Sequence, residues 1–89
     1  MKTHTSTRGC EATPELEARV DALLVKVEEA VNAARFAKFA LEATPAAHAV
    51  SMIVAMEGGN TIVRHGSGAD WDRAFMELER RIDRLAEDD

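Results

Sequence analysis

Tyrosine is absent from this sequence, and three phenylalanines and one tryptophan supply its only phenyl and indole rings among 89 residues. So few rings argue against a surface that stacks successive bases. Cysteine occurs once, at Cys10, which excludes an internal disulfide and with it a secreted scaffold held by such bridges. Long apolar runs are missing too. The longest is Met52 to Met56, far short of the roughly 20 residues that cross a bilayer as a helix. The first dozen residues hold Lys2 and Arg8 but no apolar stretch, so no secretory leader is expected and the expected address is a reducing cytoplasm. Cations are the minority, 11 against 16 carboxylates, for a net charge of −5. From that balance neither direct nucleic-acid contact nor a membrane surface is expected, because phosphate binding needs clustered Lys and Arg.

What is present is ordinary for a folded domain: 46% apolar and 30% charged residues. The length allows one domain, and a chain this short buries only about 60–65% of its unfolded surface. Self-association is an expected way of completing so small a core.

Residues 1–12 are polar and without period, which reads as a flexible tail, leaving 13–89 as a single helical domain. Thr13-Pro14 followed by Glu15 and Glu17 is a helix start: a capping hydroxyl, a proline at the first position, and acids at the positive end of the dipole. Apolar residues then fall at Leu16, Val20, Leu23, Val27, Ala30, Ala34, Ala37 and Leu41, alternating steps of four and three. The spacing predicts one long helix ending near Ala43, before Pro45. Its alanine-rich second half, with Phe36 and Phe39 off the main seam, reads as packed on two sides, by the chain or by a second copy.

Thr44-Pro45 repeats the start signal and Gly58-Gly59 provides a stop, so Ala46 to Glu57 reads as a short middle helix. A hairpin also fits: Val50, Met52, Val54 and Met56 alternate, Gly58-Gly59-Asn60 is a turn, and Thr61 to His65 the return strand. The last helix, about Ala69 to Glu87, carries Trp71, Phe75, Leu78, Ile82 and Leu85 on one stripe. The expected architecture is therefore all-α, an oligomeric helical bundle. An α+β chain with a hairpin at about 48–65 is the alternative.

Few residues suggest chemistry. Arg64-His65-Gly66-Ser67-Gly68 is the best candidate site, because small residues before a helix expose backbone N–H groups while Arg64 and His65 add donors for an anion. It matches neither phosphate-loop nor dinucleotide glycine patterns. His4, Cys10 and Glu11 are metal-ligand types without a scaffold, and no ligand pattern accompanies them, so neither metal nor cofactor is expected. His48 stands in an apolar segment, and Met52, Met56 and Met76 could line an adaptable groove. Acids crowd the last segment, from Asp70 to Asp89, a surface suited to a basic groove. No carboxylate pair is placed for acid–base catalysis.

These features point to a small non-enzymatic protein acting through protein–protein contact, as adaptor, regulator or inhibitor, and working as a homo-oligomer. The expected interface residues are Leu16, Val20, Leu23, Val27, Ala30, Ala34, Phe36, Phe39 and Trp71. The alternative is a binder of a small anionic ligand such as a nucleotide, through Arg64 to Gly68.

Overall fold

The computed structural model describes residues 2–31 and 33–85. In chain order these form β1 (Lys2–Arg8), α1 (Pro14–Ala30), β2 (Ala34–Ala43), β3 (His48–Met56), β4 (Thr61–Gly68) and α2 (Trp71–Leu85). The strands make one sheet in the order β1-β2-β3-β4, with β1 parallel to β2 and the other pairs antiparallel. Both helices cover the same face of it. The chain is α+β, which overturns the all-α bundle.

The first helix starts as its sequence dictates. The Thr13 hydroxyl accepts from the Leu16 N–H at 3.2 Å, Pro14 opens the first turn, and Leu16, Val20, Leu23 and Val27 are buried. It stops thirteen residues earlier than the period predicts, at Ala30, where Val31 is extended (φ −128°, ψ 104°). Residues 34–43 form β2 instead. Their alternation puts Ala37, Phe39 and Leu41 in the core at 0–1% exposure and leaves Phe36, Lys38, Ala40 and Glu42 on the other face. Hydrogen bonding to β1 on one side and β3 on the other overrides the helix preference of the alanines. Nor is the N-terminal segment a tail, since Lys2–Arg8 pairs with Phe36–Glu42 throughout.

Thr44-Pro45 begins a tight turn rather than a helix. The Thr44 hydroxyl donates to the Ala47 carbonyl and accepts from the Ala47 N–H, at 3.1 and 3.0 Å. The middle helix does not form, because His48–Met56 pairs on both edges, burying Val50, Met52 and Val54 completely. The turn into β4 closes with Gly59 N–H to the Met56 carbonyl at 3.1 Å, and Gly59 itself takes a φ of +85°. α2 begins where Asp70 accepts from the Arg73 N–H at 2.8 Å, which makes Asp70 its cap. Ala74, Phe75, Leu78, Ile82 and Leu85 are its buried stripe. Glu87 and the acidic tail expected there lie outside the described residues. Among those described, no helix is long and apolar enough to cross a membrane.

Candidate nucleic-acid interface on the open sheet

Among the described residues, one face of the sheet has no helix on it. The registers place its residues in four rows running from β1 to β4: Lys2-Phe36-Ala55-Thr61, His4-Lys38-Ile53-Val63, Ser6-Ala40-Ser51-His65 and Arg8-Glu42-Ala49-Ser67. Neighbouring positions in a row are about 4.8 Å apart. Cations stand at the β1 side, and Phe36, Ile53 and Val63 supply apolar surface beyond them. Ile53 and Val63 are 41% and 55% exposed. Among the described residues Glu42 is the one carboxylate on the face.

Charge is therefore partitioned by element. The four strands carry Lys2, Arg8, Arg35, Lys38 and Arg64 against Glu42 alone, whereas α1 carries five carboxylates against Arg19 and Lys26. Three of the four carboxylates of α2 are occupied by those two cations. Arg19 pairs with Asp72 and lies over the Phe75 ring at 5.0 Å, and Lys26 holds Glu79 at 2.9 Å and Asp83 at 3.1 Å. The hydrogen bond to Glu79, then that to Asp83, raises the Lys26 ammonium above the ordinary lysine pKa. The acidic surface expected on the last segment is thus largely spent within the chain, between the two helices.

The Arg64–Gly68 candidate site is strand. It is most of β4, and strand alternation sends its residues to opposite faces. His65 and Ser67 lie exposed on the open face, while Arg64, Gly66 and Gly68 face the helices. Arg64 donates to its neighbour's carbonyl, that of Val63, at 2.8 Å. Gly66 allows α2 to close on the sheet, because a Cβ there would collide with the Ala74 carbonyl oxygen and stand 2.6 Å from the Leu78 nitrogen. The five residues cannot converge on one small anion.

The expected interface residues are also divided. Leu16, Val20, Leu23, Val27 and Phe39 are buried in the chain's own core, with Ala30 and Ala34 packed against it. Phe36 is half-buried on the open face, and Trp71 is half-buried at the start of α2, its ring 4.7 Å from that of His48. Cys10 lies at the far end of the sheet from His4, half-buried, with its thiol 3.8 Å from the Leu41 carbonyl oxygen. It lines an open cleft of about 680 Å³ with Glu11, Glu15, Asp70 and Trp71 among its walls. Among the described residues, no three His, Cys, Asp or Glu side chains gather where they could hold a metal ion. The methionines do not form a groove: Met52 is in the core, Met56 is half-buried at the end of β3, and Met76 is 59% exposed on α2. The cationic rows on the sheet are a candidate site that the linear sequence hides, because β1 reads as a tail and β2 as a helix.

Four strands in sequential order with both helices on one face define a β-α-β-β-β-α mixed-sheet fold. Solved structures share it, among them these two. One is a ribosomal subunit interface protein from Coxiella burnetii, with a TM-score of 0.80 and 13% identity over 99% of this chain and 96% of that one. The other is the N-terminal domain of Protein Y from Thermus thermophilus, with a TM-score of 0.75 and 19% identity over 99% and 94%. At such identities the likeness is one of fold. No family model and no curated protein matches the sequence.

Proposed function

We propose that this chain is a non-enzymatic docking module that seats its open sheet face on an RNA-bearing surface of a larger assembly, such as a ribosomal subunit. The observation that carries the reading is the concentration of Lys2, His4, Arg8 and Lys38 on a face with one carboxylate, in a protein of net charge −5. A phosphate backbone meets local charge, not net charge. The helix carboxylates lie beyond a helix diameter of about 10 Å from that face, more than the ~8 Å screening length at physiological salt. Their repulsion is weak where the cations' attraction is strong, and it turns the helices away from the RNA. The fold shared with the Coxiella burnetii ribosomal subunit interface protein supports the choice of assembly.

This reading departs from the expectation of no direct nucleic acid, which rested on the excess of carboxylates and the scarcity of aromatic rings. It keeps the expected role of partner-binding module in the cytoplasm. The anion of the alternative reading becomes a macromolecular phosphate, held on the open face rather than by residues 64–68. Phe36, Ile53 and Val63 would lie against bases or sugars, and His65 and Ser67 would donate at the rim.

Co-sedimentation with purified ribosomal subunits tests it. The double variant Arg8→Glu and Lys38→Glu should lower binding at least about tenfold and reduce the salt slope by about 1 per lost cation. Arg81→Gln, on the helix layer, where Arg81 pairs only with Glu77, should leave binding unchanged. Equal binding by the sheet variant and the wild type would overturn the reading.

A further inference from the structure

α1 and α2 lie side by side and run in the same direction. Arg19 pairs with Asp72 near their N-terminal ends, and Lys26 pairs with Glu79 and Asp83 further along. Those bridges occupy both cations of α1. Among the described residues, the charges that each helix leaves outside these pairs and the Glu77–Arg81 pair are then of one sign. Opposite the buried stripe of α1 stand Glu17, Asp21, Val25, Glu28 and Glu29, all exposed. Opposite that of α2 stand Arg73, Met76, Arg80 and Arg84, also exposed. Among the described residues no cation pairs with those four carboxylates and no carboxylate with those three arginines, Arg81 alone holding Glu77 at 3.1 Å. Near the middle of each charged ridge is an exposed apolar side chain, Val25 at 53% and Met76 at 59%.

An acidic ridge beside a basic one makes a surface that complements itself. A two-fold axis parallel to the helices lays α2 of one copy on α1 of the other, and by symmetry the reverse. The internal ion pairs set residue 19 level with 72, and 26 level with 79 and 83, so this pairing needs no sliding. Arg73 then meets Glu17 and Asp21, Met76 falls near Val25, and Arg80 and Arg84 meet Glu28 and Glu29. An axis across the helices would instead set like on like and repel, which selects one geometry. We propose that the helix layer is a self-association surface whose occupant is a second copy of this chain. It lies on the opposite side of the molecule from the open sheet face and stands independently of the reading given to that face. It also differs from the apolar seam Leu16–Leu41, whose large side chains are buried within the chain.

Sedimentation velocity and native mass spectrometry on the whole chain test this. The wild type should run at twice the 9.7 kDa chain mass in about 0.01 M salt and dissociate in about 1 M, where charges are screened beyond ~3 Å. The variants R80E/R84E and E28K/E29K should each associate at least about tenfold more weakly. Mixed in equal amounts they should recover the dimer, because the exchanged charges match only between the two variants. Circular dichroism melts check that both fold. If either does not, the pair R73E and E17K/D21K makes the same exchange at the other end of the ridge. A wild type that stays monomeric in low salt, variants that associate as the wild type does, or folded variants that fail to recover on mixing would each overturn the proposal.

Discussion

The two faces of the sheet are made by alternate residues of the same strands, yet they have opposite fates. On the covered face Ala37, Phe39, Leu41, Val50, Met52 and Val54 are 0–1% exposed. On the open face Lys38 and Ile53, next to them in the chain, and Val63, paired with Ile53, lie in solvent. Phe36 and Phe39 state the contrast within one strand. Three residues apart, they would share a helix face, but in a strand they point to opposite sides. The difference shows that apolarity alone does not assign β3, where His48–Met56 is apolar on both sides; the helices decide which side is the core.

That contrast can be broken most sharply at the two phenylalanines. Phe39→Ala should lower the unfolding free energy by about 3–5 kcal/mol, through lost burial and the cavity left behind. Phe36→Ala should cost under about 1.5 kcal/mol, its ring being half in water already. Urea titration of both variants measures the gap, and equal losses would mean that the sheet is covered on both faces.

A smaller effect is expected from the glycines. Gly66→Ala forces a methyl group into the α2 backbone and should cost about 1–3 kcal/mol, read as a lowered melting temperature. Gly58→Ala, where the nearest atom is Asn60 Nδ2 at 3.9 Å, should be close to neutral. The difference locates the tight contact at the sheet–helix seam.

The smallest effect concerns the seam between the helices. Because Lys26 has a raised pKa in the folded chain, its contribution is fully present below the ordinary lysine value near 10.5 and is lost as pH rises through the higher folded value. Lys26→Met should therefore remove a shallow fall in stability above that value and leave the pH profile below it parallel to the wild type. Thermal melts from neutral to strongly alkaline pH follow this, and an unchanged alkaline limb would mean the ion pairs do not form.

Legibility followed the kind of signal available. α2 could be read closely, because Phe75, Leu78, Ile82 and Leu85 repeat at helical spacing and all are buried. The start of α1 was equally plain from Thr13-Pro14. Its end was not, because Ala30, Ala34, Ala37 and Leu41 continue the same steps by coincidence, and neither proline nor glycine marks Val31 as a stop. For residues 46–65 the pattern allowed helix or hairpin, and the hairpin forms. The site was the least legible part. Lys2, His4, Arg8 and Lys38 become neighbours only when a segment read as a tail pairs with one read as helix.

By itself the sequence determined the local matters: where both helices begin, which stripe of each is apolar, and that Gly58-Gly59-Asn60 can turn. Those depend on caps, periodicity and backbone freedom within a few residues. Only the tertiary structure decided that residues 2–8 and 34–43 are strands. A β ladder draws its hydrogen bonds from partners distant in the chain, and Lys2 pairing with Phe36 leaves no mark within either segment. The same pairing decided the proposed binding surface, because charges scattered along the chain were sorted to opposite sides only when the sheet closed beneath the helices.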